Sequence, residues 1–332
     1  MITNRAPRRI VPAVLLAGLG ALTVALAGCG NDETTQPTPQ PTGYIEMKTP
    51  QFSVPLGSEV QKNFYMVLPS DEAVYVHRVH LFMTEGSHHF NVYKLPKESG
   101  EPFTEGDIES NFSGRFFEPP WQLVIDNQSG DIDWTLPEGV AFKLEAHEQL
   151  NLQLHYTNTI VQETPGVGEG TIRWYTVPEE SVTAYGGALF AWNPNIVLLP
   201  NSSASFTKRC IVPQTINLMA MTGHFHSRGK SFKVWKVDAA GARVGAEIFT
   251  NTTWAEPPFA DYSAQPIRIE AGEGIEYTCE YVNDTADTIS FGPHNIYQEH
   301  SNIFSFFFPN VNGNINFLGS DSVEVGVLAG GN

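Results

Sequence analysis

The stretch INLMAMTGHFHSRGKSFKVWKV, residues 216–237, reads as a strand, a turn at Arg228-Gly229-Lys230 and a second strand. Its apolar, aromatic and β-branched residues carry no helical spacing. In an extended strand the side chains at i and i+2 point the same way, so His224 and His226 can face one metal ion from one strand. The same kind of run recurs along the chain. AVYVHRVHLF (73–82), HHFNVYKL (88–95), GVAFKLEA (139–146), QLNLQLHYTN (149–158), GTIRWYTV (170–177), GIEYTCEYV (274–282) and NIFSFFF (302–308) are separated by Gly, Pro, Asn and Asp. Helix signals are scarce. Strands at this spacing predict an all-β fold of antiparallel, jelly-roll-like β-sandwiches. About 290 residues are available for it, more than one core usually holds. Two sandwich domains in tandem are therefore expected, residues 44–178 and 179–332, with the break at Val177-Pro178-Glu179-Glu180-Ser181.

The first residues read as an export signal. Arg5, Arg8 and Arg9 precede an apolar run, and residues 1–28 end at Leu26-Ala27-Gly28 before Cys29. That ending resembles a bacterial lipobox and implies that Cys29 becomes the lipidated N-terminus. Gly30 rather than Asp after it is compatible with the outer membrane, facing the periplasm. Residues 29–43, rich in Pro and Thr, read as a tether. No later stretch has the ~18–20 apolar residues of a spanning helix, so lipid alone is expected to anchor the protein.

The chain has 36 acidic and 19 basic residues, and three of the basic ones fall in the signal segment. Such an acidic protein is not built to bind nucleic acid or anionic lipid. Beyond Cys29 only Cys210 and Cys279 remain. In an oxidising compartment a single Cys210–Cys279 disulfide is the economical expectation, with two buried free thiols as the alternative.

Six of the ten histidines fall in four short clusters: His88-His89, His155, His224 with His226, and His300. Imidazole is the commonest protein ligand for copper and zinc. Adjacent strand residues face opposite ways, so His88 and His89 can share an ion only if the backbone bends or bulges or the two rings use different nitrogens, and Gly86-Ser87 supplies the backbone freedom. His155 shares a face with Gln153 and is a third arm for that pair. His300 follows Gln298-Glu299, and His294 is its rival. His77, His80 and His147 read as structural or surface residues. Two sites of three histidines are expected, His88/His89/His155 and His224/His226/His300, one per domain. Three neutral imidazoles leave open coordination positions, which suits catalytic copper or zinc.

Residues and order together resemble the copper type II ascorbate-dependent monooxygenases, the family of peptidylglycine α-hydroxylating and dopamine β-monooxygenases. Ser87 to Tyr93, Leu136 to Phe142 leading to Leu152 to Tyr156, His224 to Lys230, and Gln298 to Asn302 carry the likeness. It implies two sandwiches facing across a solvent cleft, and two coppers per chain. His88, His89 and His155 would hold the electron-storing copper, and His224 and His226 the O₂-binding one. Ascorbate or another reductant would supply electrons, and a small organic substrate would be hydroxylated. The family's methionine ligand is replaced by His300, with Met219 and Met221 as possible substitutes. Its substrate-site arginine is Thr222 here, while Asn302 matches a substrate-site asparagine and a tyrosine becomes Phe304. Cys210 and Cys279 match two family cysteines that normally pair with others. Three further readings remain: a copper- or zinc-binding lipoprotein without turnover, a zinc hydrolase with Glu299 as general base, and an adhesion or glycan-binding lipoprotein with scattered histidines.

Overall fold

The computed structural model describes residues 43–112, 114–158 and 165–318. The signal segment, Cys29, the tether before Gly43 and the tail from Gly319 lie outside the described residues. Among the described residues the protein is all-β, with helix limited to the 3₁₀ turns Lys97–Ser99, Arg115–Phe117 and Glu179–Ser181. The described residues fall in one compact unit.

Two larger sheets come from the first half, beside a two-stranded pair of Phe52–Val54 and Gly166–Gly168. One orders Gly43–Lys48, Gly170–Val177, Val74–Met83, Val140–Leu144 and Ala184–Tyr185, with Asp131–Thr135 also paired to Val74–Met83. The other orders Ile108–Glu109, Glu59–Val67, Gln149–Thr157, Ser87–Leu95 and Gln122–Asn127. They pack together closely: a Cβ on Gly170 would meet Leu154 and Phe90 of the other sheet at 2.8 and 2.9 Å. Because Ala184–Tyr185 still pairs with Val140–Ala141, the change of strand partners falls after Tyr185, a few residues beyond the expected break.

The second half opens with a sheet of Ala260–Asp261, Ile216–His224, Asn302–Phe308, Gly187–Trp192 and Ile315–Phe317. A four-stranded sheet orders Ser202–Ile211, Gly274–Asn283, Gly229–Val237 and Arg243–Asn251. The stretch 216–237 thus feeds two different sheets, and its turn crosses between them. A three-stranded sheet of Val197–Leu198, Ile289–Phe291 and Gln298–Glu299 completes this half.

The sheet containing Asn302–Phe308 has a core on each face. Phe304, Phe306 and Phe190 belong to the apolar cluster of the first half. Ile303, Phe307 and Leu189 belong to that of the second. Alternate side chains of one strand therefore enter different cores, and the ring of Phe306 lies 5.4 Å from that of Trp134.

The expected disulfide is absent. Cys210 and Cys279 are both free and buried. Their strands do pair, but Cys210 lies opposite Ile275 and Cys279 opposite Phe206. Four residues of register separate them by roughly 13 Å along the ladder, about twice the ~4.4–6.8 Å between Cα atoms that a disulfide spans.

Candidate metal centre

Gln149–Thr157 is the middle strand of its sheet and is buried along nearly its whole length. Leu150, Leu152 and Leu154 turn into the first-half core. Alternation sends Asn151, Gln153 and His155 to the other face, where they are also buried. Such a face is stable only if its polar groups are bonded. Gln153 Nε2 donates to Asn63 Oδ1 at 3.0 Å, Asn91 Nδ2 to Tyr93 Oη at 3.0 Å, and His89 Nε2 meets Gln153 Oε1 at 3.3 Å.

Of the ways in which His88 and His89 could converge, a bulge is the one observed. His155 pairs with His89, but Tyr156 pairs with Ser87, leaving His88 as the extra residue. Gly86, at φ 86°, takes the left-handed conformation just before it. The rings of His88 and His89 consequently lie 5.1 and 5.0 Å from that of His155.

His224 ends its strand opposite Asn302. Phe225 turns away into the second-half core, and its ring covers Gly229 so closely that a Cβ there would lie 2.0 Å from Phe225 Cδ2. His226 returns to the face of His224, with 5.1 Å between the two rings. The turn is clamped by Glu299, whose carboxylate accepts the backbone N–H of His226 at 2.9 Å and of Arg228 at 2.7 Å. His226 Nδ1 donates to the Gln298 carbonyl at 2.9 Å, which leaves Nε2 for a ligand.

All six histidines are brought together, but not as two separated trios. The ring of His88 is 4.8 Å from that of His224, nearer than its 5.6 Å to His89. Ligand atoms within 4.8 Å of one another form two groups, His88/His89/His155 and His88/His224/His226. His88 thus takes the place expected of His300. His300 stays beside them, its ring 4.4 Å from that of His226 and 5.5 Å from that of His224. The solvent cleft implied by the resemblance does not separate the two sets.

Three imidazole nitrogens, His88 Nε2, His155 Nε2 and His224 Nδ1, are buried without a hydrogen-bond partner. Glu59 Oε2 lies 3.5 Å from His155 Nε2, within reach of an ion pair but not a hydrogen bond. Burial, reinforced by neighbouring imidazoles, holds His88, His89, His224 and His300 well below the usual imidazole range. Burial brings His226 down to about 4 and lowers His155 against the pull of Glu59. Glu299 is pushed up to about 7 by burial, opposed by the N–H groups of Arg228 and His226. The cluster is therefore neutral at neutral pH, the form that binds metals.

His294 lies outside both groups, half exposed, against Phe112 and 3.7 Å from Glu59. Met219 and Met221 are buried in the two apolar cores. Thr222 is buried with its hydroxyl unpartnered. His77 bonds the Val140 carbonyl, His80 pairs with Asp131 and His147 with Asp71. Sequence reasoning passed over Glu59, Asn63 and Asn91. Glu59 is remote in sequence, and only the polar face shared by Gln153 and His155 hints at the amides.

A cavity of about 200 Å³ opens beside the histidines, with His89, His155, His224, His226 and His300 in its wall.

No family model matches the chain, and no curated protein shows significant similarity to it. A structure of the infectious bursal disease virus Gx strain is 8% identical, with a TM-score of 0.17 over 84% of this chain and 77% of that one. The VP2 subviral particle of infectious bursal disease virus is 7% identical, with a TM-score of 0.18 over 81% and 72%. Likenesses this low carry no argument about fold or function.

Proposed function

We propose that this protein is a copper-dependent monooxygenase-like lipoprotein that hydroxylates an activated C–H bond of a small organic substrate. Its co-substrates would be O₂ and a reductant such as ascorbate. The observation that carries this reading is the set of orphaned nitrogens on His88, His155 and His224. A buried polar atom left unpaired costs about 1–3 kcal/mol. A protein that keeps three of them within one cluster of imidazoles has a use for them, and cations held by the two groups would satisfy them. The donor set fits: all-imidazole sites suit copper and zinc, and the groups are tight enough for side-chain rotation to reach ~2.0–2.1 Å metal–nitrogen bonds.

His88, His89 and His155 would hold one ion and His224 and His226 the other, with His300 at the margin of the second; His88 would serve both only as an imidazolate, its N–H proton released to solvent and one ring nitrogen given to each ion. Copper bound there would supply one-electron chemistry with O₂. The chain's own groups orient the ligands. Gln298 sets the His226 tautomer, Gln153 holds His89, and Glu299 braces the turn. The adjacent cavity would seat the substrate. Export and a lipid anchor on Cys29 are part of the proposal; with them the reaction would take place in the bacterial envelope.

A second reading is a copper- or zinc-binding protein without turnover. His300 in place of a thioether, with Met219 and Met221 turned into the cores, favours it. The zinc hydrolase is disfavoured, because the Glu299 carboxylate is engaged by two backbone N–H groups instead of facing a water. Copper-loaded protein separates the two leading readings. Ascorbate-dependent O₂ uptake matched by hydroxylated product supports the enzyme; tight copper with no turnover across a panel of substrates supports the binder.

A further inference from the structure

We propose that the cavity beside the histidines binds a small, uncharged, flat ring compound that carries a hydroxyl or N–H donor. This deepens the proposed function by naming the substrate class, and it rests on that reading only for the reaction, since binding can be measured without metal.

Three observations converge. The first is size. An apolar cavity of about 150 Å³ holds one benzene, so about 200 Å³ takes a single ring with short substituents. The second is charge. No Lys, Arg, Asp or Glu lines the cavity among the described residues. A carboxylate or ammonium group would lose its hydration there without gaining a counter-ion. The walls are instead the aromatic rings of Phe112, Phe117, Trp192, Phe291 and Phe304. Trp192 and Phe291 meet edge to face at 5.5 Å, and Phe117 lies 5.9 Å from Phe304. Such rings favour a flat apolar guest.

The third is unpaired polarity, mostly of acceptors. Asn91, Gln128 and Asn302 also line the cavity, and the side-chain oxygen of each is buried without a partner. Their amide nitrogens are engaged: Asn91 Nδ2 with Tyr93 Oη, Gln128 Nε2 with Asp126 Oδ1 at 2.6 Å, and Asn302 Nδ2 with His300 Nδ1 at 3.4 Å. What is left over is three acceptor oxygens beside one donor, Trp192 Nε1–H, which is also buried without a partner; a hydroxyl or N–H on the guest would fill an acceptor, and a hydroxyl oxygen would in turn accept from Trp192.

The test uses the full chain, stripped of metal, at pH 8. Benzyl alcohol, toluene, benzoate and benzylamine share one ring and differ in charge and donor. Titration calorimetry should show saturable binding of benzyl alcohol, at least threefold weaker binding of toluene, and at least tenfold weaker binding of benzoate and benzylamine. Phe112→Ala and Trp192→Leu should each weaken benzyl alcohol at least fivefold with the strand circular dichroism unchanged. Phe112 is half-buried and makes no side-chain hydrogen bond, so its variant keeps the test valid if the tryptophan variant fails to fold. Absence of saturable binding by benzyl alcohol would overturn the proposal. So would a charged compound binding as tightly, toluene binding equally well, or unchanged affinity in the folded Phe112 variant. A copper titration of the same sample without ring compound reports separately on the metal reading.

Discussion

His88 is the residue on which the centre turns. It is the extra residue of a bulge, it is buried with Nε2 unpartnered, and it belongs to both metal-competent groups. Burial lowers all six imidazoles, and this has a consequence for the metal-free protein. Below the ordinary histidine pKa of about 6.5 the unfolded chain takes up protons that the folded cluster refuses. Stability is therefore full above about pH 6.5 and falls as the pH drops towards the folded values, about 4 for His226. Each group contributes a slope of up to about 1.4 kcal/mol per pH unit. Glu299, raised to about 7, works in the opposite sense between its ordinary value of 4.5 and that pH, as do Asp126 and Glu148, whose carboxyls burial also raises, but these are three groups against six. Urea midpoints of metal-free protein should fall between pH 7 and pH 5, and a flat profile would contradict this burial.

At the scale of elements, the strands were readable, and alternation decided whether their faces were. QLNLQLHYTN shows its two faces directly, three leucines against Asn151, Gln153 and His155. The freedom at Gly86-Ser87 signalled the bulge. NIFSFFF shows no alternation, because both of its faces enter apolar cores. Register was hidden. Nothing local in the sequence says that Cys210 faces Ile275, so the two cysteines remaining beyond Cys29 in an exported chain read as a disulfide. The role of Glu299 was hidden for the same reason: the N–H groups it accepts lie more than seventy residues earlier. Its replacement tests the clamp. Glu299→Ala leaves two buried N–H groups unpaired, at about 1–3 kcal/mol each. Equilibrium urea unfolding should show that loss. Copper affinity should fall roughly 10–100-fold, as when a ligand loses its supporting shell.

For the whole molecule, the joint core is what brings the histidines of both halves together. Phe304 and Phe306 of the second half sit in the same cluster as Trp134 and Phe142 of the first. The sequence showed two sets of strands; that their facing surfaces would close on one another could not be read from it, because those surfaces are assembled from residues far apart in the chain. One shared core predicts one unfolding transition, with tryptophan fluorescence and far-ultraviolet circular dichroism coinciding in urea. Phe306→Ala should lower stability by about 3–5 kcal/mol and shift both probes together. Two resolved transitions, with only the later one unchanged by the substitution, would contradict a shared core.

The most direct measurement is copper content after loading and dialysis, in the native protein and in two variants. A centre sharing His88 predicts two coppers per chain in the native protein. It predicts one in His155→Ala, which belongs to a single group, and neither held tightly in His88→Ala. Native protein that retains no copper, or a folded His88→Ala variant that keeps either ion at native affinity, would contradict it.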